Sequence, residues 1–258
     1  MEIKFYNVKY QDKIKELNIT ITNNKINGIY NCKELINILN NPKLIQHGAI
    51  YIDNDKYKKN DNRSITVIDR EVPFYTSKVI DEIYFYAKIR NYKSDNIKNE
   101  IINLLEKFEL EKSILDRICH SLSQTEKYYV KLVANLITNP DVIIFKDILS
   151  GMDLKNKKIM KKFLEELKEQ EKLIILTSND SNILYELTEE VFIFKEGNLI
   201  INGNTNDIYT NVEMLLKNKV DVPYFSLLTY KANNEKGANL FYRKDVRDVI
   251  KDVYKSVS

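Results

Sequence analysis

The residues best suited to chemistry lie in three short segments in the second half of the chain. Residues 121–126 read SLSQTE, residues 139–147 read NPDVIIFKD, and residues 150–153 read SGMD. In the middle segment a run of apolar residues, typical of a buried parallel strand, is followed directly by Lys146 and Asp147. A carboxylate at the end of such a strand can act as a general base, and a serine hydroxyl can donate a hydrogen bond to an anion.

The order and spacing of these segments resemble the signature motif, Walker B strand and D-loop of the ATP-binding-cassette (ABC) family. The resemblance implies that Lys146 stands where the family has its magnesium-binding aspartate, and Asp147 where it has its catalytic glutamate. A lysine at a metal position repels magnesium and can take the place of its charge. The catalytic positions are therefore interpreted as degenerate, and the chain's own site is predicted to bind neither a cofactor nor a metal.

ABC subunits work in pairs, and each composite site joins the phosphate loop of one subunit to the signature of the other. Within the signature, Gln124 and Thr125 replace the two glycines of the family pattern, beside Ser123 and Glu126. The resemblance implies that these four residues and Asp153 face ATP and magnesium bound by a partner subunit. A second interpretation stays open, because Ser123 with Glu126 three residues later is a capping-box pattern, and Ser123 and Asp153 can simply start helices.

The connection that would hold the phosphates is short. Residues 25–30 predict a strand and Leu35 begins the apolar face of a helix, so only residues 31–34, NCKE, join them. The family has a glycine-rich loop here, ending in lysine and serine or threonine, whose backbone N–H groups surround the phosphates. This connection has no glycine, serine or threonine. Lys33 is either a substitute for the motif lysine or an exposed residue at a helix start.

Other family positions follow in order along the chain. Tyr10 stands where the family often stacks an aromatic ring on adenine, Arg70 at the Q-loop glutamine, and Asn179 at the switch histidine. The ordered series covers about 200 residues and extends to the hairpin at 191–201. The following stretch, residues 211–228, is most similar to the ATPase subunits of energy-coupling-factor (ECF) importers.

The resemblance implies an α/β fold of the ABC-type P-loop ATPase kind. Its expected parts are a mixed central sheet, antiparallel N-terminal strands, a helical subdomain at about 75–130 and a C-terminal helical extension. We expect residues 1–215 to form the ATPase-like domain and residues 216–258 the extension. Within the extension, residues 233–237 are interpreted as a polar break, and the apolar stripe of residues 246–257 predicts a helix that packs on a partner or on the domain itself.

Composition excludes several other functions. The 40 basic and 37 acidic residues leave a net charge of 40 − 37 = +3, which is too balanced to favour nucleic acid as a partner. No stretch approaches the length of a membrane-spanning helix, and no signal peptide is recognised, so a cytoplasmic location is expected. Cys32, Cys119, His47 and His120 have no metal-ligand spacing.

Three functions remain open at this stage. The first is a non-catalytic ABC subunit of an ECF-like importer, peripheral on the cytoplasmic face of the membrane. It would pair with a competent ATPase subunit and dock on a transmembrane coupling subunit through a groove near Phe74, Tyr75 and Tyr86. The second is a weakly active ATPase that uses Asp147 as its base. The third is a soluble scaffold or regulator that uses the ABC fold without a transporter.

Overall fold

The structure is a computed structural model that describes residues 1–58, 64–69, 71, 73–147, 152–244 and 246–257. The strands in these ranges are β1 (Glu2–Tyr10), β2 (Ile14–Thr22), β3 (Ile26–Tyr30), β4 (His47–Ile52), β5 (Asp55–Lys56), β6 (Ile65–Asp69), β7 (Val142–Lys146), β8 (Leu173–Ser178), β9 (Glu190–Lys195) and β10 (Asn198–Asn204). The α-helices are α1 (Lys33–Asn40), α2 (Val79–Ile89), α3 (Ile97–Lys107), α4 (Gln124–Leu136), α5 (Leu154–Glu169), α6 (Ser181–Leu187), α7 (Thr205–Thr210), α8 (Val212–Lys217), α9 (Tyr224–Lys236) and α10 (Val246–Val257). None of these helices has the length and apolar character needed to cross a membrane.

Two sheets form the framework. The smaller sheet is antiparallel, with the order β2-β1-β4-β5, and the larger has the order β10-β9-β3-β8-β7-β6. In the larger sheet β3, β6, β7, β8 and β9 run parallel, and only β10 is antiparallel to its neighbour. The expected antiparallel N-terminal strands, mixed central sheet and closing hairpin are confirmed.

The strands of the larger sheet have continuous apolar sequences because both faces of the sheet are covered. One face packs with α1 and the smaller sheet, so that Val142 and Ile144 lie in one core with Ile3 and Leu35. The opposite face packs on α2, α4 and α5, and there Ile143 and Phe145 alternate into the second core. A strand buried on both faces has no polar side to display, which explains its unbroken apolar sequence.

The segment between β6 and β7 is helical, as predicted. It holds α2, α3 and α4, whose buried residues join the second core. Phe108 stacks on Tyr129 with ring centroids 4.9 Å apart, which ties the end of α3 to α4. After β7, helix α5 begins at Leu154 and ends at Glu169.

The C-terminal region corrects one expectation and refines another. The predicted polar break at 233–237 is wrong, because α9 continues through Lys236 and ends at Gly237, whose φ of 63° is the left-handed conformation of a helix C-cap. The predicted apolar helix is present as α10. Its Val249 is buried against the rest of the chain, whereas Ile250 and Tyr254 are exposed.

Candidate functional site

The site expected to hold phosphates lies at the carboxyl end of β3. Helix α1 begins at Lys33, so that only Asn31 and Cys32 join it to the strand, two residues fewer than the sequence predicts. Asn31 turns the chain with a φ of 59°, and Cys32 is buried. Burial raises the pKa of the Cys32 thiol to about 12. A two-residue turn has too few N–H groups to surround a triphosphate.

Gly28 has a packing role. It lies inside β3, where a Cβ atom would stand 2.9 Å from the Thr188 side chain and 3.3 Å from that of Leu184. The missing side chain lets α6 pack closely on the strand.

Only a narrow cleft remains between the β3–α1 turn and the ends of β7 and β8. Its volume is about 10 Å³, and its lining includes Cys32, Lys33, Lys146, Asp147 and Asn179. The structure thus brings the predicted positions together, but it leaves no space between them for a phosphate group. Tyr10 is elsewhere in the smaller sheet and only 7% exposed, so most of its ring surface is covered by the core.

Lys146, at the position where the resemblance implies a metal ligand, has an acidic partner. Lys146 Nζ lies 2.6 Å from Asp69 Oδ2, and the two residues are opposite each other at the ends of β7 and β6. This hydrogen bond is the main cause of the raised pKa of Lys146. The carboxylate of Asp69 therefore holds an ammonium group at the sheet edge.

Asp147 and Asn179 lie on the border between the narrow cleft and a second, larger opening. Both line a cavity of about 460 Å³, which also contacts Asp180 and Asp221. Asp147 adopts a φ of 48° and donates its N–H to the Thr177 carbonyl, which fixes the backbone where β7 ends. We call this opening the acidic cavity.

The signature residues start α4 as a complete capping box. Ser123 Oγ accepts the Glu126 N–H at 3.2 Å, and Glu126 Oε2 accepts the Ser123 N–H at 2.7 Å. Arg117 binds the other oxygen of Glu126, and these contacts, led by the Ser123 N–H, lower the pKa of the Glu126 carboxyl group. Ser123 and Gln124 are exposed and Thr125 is half-buried. The Ser123 hydroxyl therefore has the capping role that the sequence pattern predicts, and the residue remains exposed at the surface.

Asp153 caps the next helix in the same way. Its Oδ1 accepts the Asn156 N–H at 2.8 Å, which lowers the pKa of Asp153. The Asn156 side chain in turn accepts the Tyr129 hydroxyl from α4 at 2.7 Å. The starts of α4 and α5 are thereby connected. Arg70, at the expected Q-loop position, and Ser150 and Gly151, just before Asp153, lie outside the described residues.

Helix α2 and the loop before it carry an aromatic surface. The ring of Tyr75 is 5.1 Å from that of Phe85 and 6.3 Å from that of Tyr86, and Tyr75 is 60% exposed. Glu82 is buried and fixes this loop, because its Oε2 accepts the N–H groups of Tyr75 and Thr76 and the Thr76 hydroxyl. We call Tyr75, Phe85 and Tyr86 the aromatic surface.

Sequence reasoning missed the residues that complete these arrangements. Asp69, Glu82, Tyr129, Asn156, Asp180 and Asp221 were not identified as site residues. An acidic residue at the end of the strand paired with β7 was a usable signal for Asp69. No comparable signal exists for Asp221, which reaches the cavity through the fold of the C-terminal region.

Curated proteins similar to this chain are ABC proteins. The chain is 30% identical over 185 residues to the energy-coupling factor transporter ATP-binding protein EcfA1 of Mycoplasmoides gallisepticum, covering 72% of this chain and 65% of that protein. It is 31% identical over 157 residues to the EcfA1 protein of Mycoplasma pneumoniae, covering 60% of this chain and 56% of the relative. The matches thus span about half to two thirds of those proteins. No family model matches the chain.

Solved structures share the fold. CbiO1 from Clostridium perfringens, part of the ABC transporter complex CbiONQ, superposes with a TM-score of 0.71 at 22% identity, covering 88% of this chain and 98% of that one. The bacterial ABC transporter cassette MJ0796, solved as a dimer, gives 0.66 at 18% identity, covering 79% and 98%. The two sheets and the helical segment between β6 and β7 therefore have the fold of ABC-type ATPase domains. ATP-binding subunits of energy-coupling factor transporters are among the relatives of this chain.

Proposed function

We propose that this chain is a non-catalytic ABC subunit of an ECF-like membrane importer. It pairs with a competent ATPase subunit and docks on a transmembrane coupling subunit at the cytoplasmic face. The observation that carries the proposal is the two-residue turn between β3 and α1, beside a cleft of about 10 Å³. Phosphoryl transfer depends on positioning the phosphates and neutralising their charge, and this turn has neither the length nor the glycines to do so.

The magnesium position supports the same conclusion. Lys146 occupies it, and its ammonium group is held by Asp69 at 2.6 Å. A divalent cation placed there would meet a positive charge and would compete for the Asp69 carboxylate. Asp147 then has no metal-bound phosphate beside it, so it has no nucleophile to activate.

The surface offered to a partner's nucleotide is better preserved. Ser123 and Gln124 are exposed at the start of α4, where backbone N–H groups and the helix dipole favour an anion. Asp153 is linked to α4 through Asn156 and Tyr129, so both helix starts keep a fixed relative position. These contacts support a composite site in which the partner supplies the phosphate loop and the magnesium ion.

The aromatic surface supports docking on a membrane subunit. Tyr75 is largely exposed although its ring is large and apolar, and Glu82 holds its backbone in place. An exposed ring on a fixed loop is typical of protein interfaces, where aromatic residues contribute much of the binding free energy.

Nucleotide titration of the isolated chain tests the catalytic part of the proposal. Calorimetry with Mg-ATP should show no saturable binding at millimolar concentration, while thermal unfolding confirms that the protein is folded. A dissociation constant below about 100 μM, or about −5.5 kcal/mol, would contradict the proposal and favour the weakly active ATPase.

Purification of the tagged chain from membranes tests its partners. In mild detergent the chain should be recovered with a membrane protein and with a second ABC subunit that has an intact glycine-rich phosphate loop. Recovery of the chain alone, without either partner, would favour the scaffold or regulator instead. A variant with Tyr75→Ala should lose the membrane protein and keep the second ABC subunit, whereas Tyr6→Ala, at another exposed tyrosine, should keep both.

A further inference from the structure

The acidic cavity is a distinct opening beside the closed phosphate cleft. Three carboxylates reach it from separate parts of the chain: Asp147 after β7, Asp180 before α6 and Asp221 before α9. The Asp221 N–H points to the Tyr30 hydroxyl, with 3.4 Å between nitrogen and oxygen. The volume of about 460 Å³ is in the range of cavities that hold small organic ligands.

The described residues balance the negative charge of the cavity only in part. No lysine, arginine or histidine is among those that line it, and none of the three carboxylates forms an ion pair within the described ranges. Lys146 ends β7 directly before Asp147, and its ammonium group binds Asp69, so it offsets the charge of Asp147 only in part. Asp180 also accepts the Asn182 N–H at the start of α6. In a chain whose net charge is +3, three carboxylates around one opening, none of them in an ion pair within the described ranges, produce a negative potential there.

Polar and aromatic groups complete the lining. Ser181 also lines the cavity, is 1% exposed, and its hydroxyl has no hydrogen-bond partner in the described part of the chain. A buried hydroxyl without a partner carries a desolvation penalty that a ligand donor or acceptor can relieve. Tyr224 lies at the opening with its ring 75% exposed, where a cation can contact the ring face.

The geometry favours an organic cation over a metal ion. Within the described residues no three acidic, histidine or cysteine side chains converge closely enough to hold a metal. A planar guanidinium group, by contrast, donates several hydrogen bonds to separated carboxylates and stacks on aromatic rings. We propose that the acidic cavity binds a guanidinium or primary ammonium group, carried by a small molecule or by a side chain of a partner polypeptide.

The direct test is calorimetric titration of the intact chain with butylguanidinium and with butylurea, which has the same shape without the charge. Butylguanidinium should bind with a dissociation constant of about 0.1–5 mM, and butylurea at least about tenfold more weakly. Equal binding of both compounds, or no saturable binding of either, would overturn the proposal.

Matched variants locate the binding. Asp221→Asn should weaken butylguanidinium binding by about tenfold or more, because it removes one charged acceptor. Asp12→Asn makes the same charge change at an exposed position outside the cavity and should alter binding by less than about twofold. Tyr224→Ala should weaken binding by a few-fold through loss of the ring. An equal loss in the Asp12 variant would mean that only overall charge matters and would overturn the site.

Two further titrations distinguish the sources of the cation. Agmatine represents a free small molecule, and a capped Gly-Arg-Gly peptide, compared with its citrulline counterpart, represents a partner side chain. Stronger binding of agmatine assigns the cavity to a small molecule, and stronger binding of the arginine peptide assigns it to a polypeptide. Mg²⁺ that displaces butylguanidinium, and that loses this effect in Asp221→Asn, would overturn the organic-cation assignment in favour of a metal site.

Discussion

Lys146 and Asp69 form an ion pair between the ends of two neighbouring parallel strands, with 2.6 Å between Nζ and Oδ2. Their side chains are only 23% and 20% exposed, so the two charges are partly removed from water and depend on each other for compensation. The positive charge at the end of β7 is therefore supplied by a side chain of the protein itself. The resemblance to the ABC family implies a magnesium ion, which can exchange, at the same position.

Breaking this pair should destabilise the chain. Lys146→Met should lower the free energy of unfolding by about 1–3 kcal/mol, because Asp69 is left partly buried without its partner. Urea unfolding measures the change, and the double variant with Asp69→Leu should recover part of the loss. Additive losses in the double variant would mean that the two side chains do not interact.

The pH dependence of the free energy of unfolding provides a second test of the Lys146–Asp69 ion pair. The hydrogen bond to Asp69 raises the pKa of Lys146 above its ordinary value of 10.5. A group with a raised pKa in the folded state contributes stability below its unfolded pKa and loses it as the pH rises through the folded value. The difference between wild type and Lys146→Met should therefore be constant from about pH 6 to 9 and decrease only above the ordinary lysine pKa.

The loop of the aromatic surface should depend on Glu82. Glu82→Ala removes the acceptor of two N–H groups and one hydroxyl, and should cost about 2–3 kcal/mol of unfolding free energy. Glu82→Gln keeps one acceptor oxygen and should cost less. Hydrogen exchange should show faster exchange at Tyr75 and Thr76 in the alanine variant. The exposed Asp81→Ala serves as the control, and an equal effect there would contradict this role for Glu82.

The sequence was sufficient for the framework because the framework depends on local patterns. Continuous apolar runs identify β7 and β8, and the serine–glutamate spacing locates the start of α4. The missed features depend on register and on long-range packing. Asp69 meets Lys146 only through the alignment of β6 with β7, and the acidic cavity combines residues that are up to 77 positions apart (224 − 147). The polar residues at 233–236 continue α9, because polar side chains are tolerated on the outside of a helix.

The thiol of Cys32 reports whether the closed turn ever opens. It is 4% exposed and its pKa is raised to about 12 by burial, so the reactive thiolate is scarce at neutral pH. In a Cys119→Ala background, Ellman's reagent should react slowly with the native protein and completely after denaturation. Added Mg-ATP should not change the native rate. Rapid native reaction, or a rate that depends on nucleotide, would show that the turn rearranges and would weaken the non-catalytic proposal.

Two substitutions, made in the assembly that the proposed function requires, distinguish a role of Ser123 at a partner's nucleotide from its role as a helix cap. Ser123→Ala removes the acceptor of the Glu126 N–H and should lower stability by about 1 kcal/mol. If Ser123 also donates to a partner's γ-phosphate, the same change should reduce ATP turnover by an amount equivalent to about 1.5–3 kcal/mol. Ser123→Arg should abolish turnover, because its length and bulk occupy the place of the nucleotide.

A cap elsewhere in the domain provides the matched control for this experiment. Asn204 caps α7 by accepting the Asn206 N–H, so Asn204→Ala makes a comparable change away from the signature. It should lower the melting temperature as Ser123→Ala does and leave ATP turnover unchanged. We expect turnover to fall only in the two Ser123 variants. Stability losses in all three variants with full turnover would mean that Ser123 only starts α4, and that this subunit contributes no group to its partner's nucleotide site.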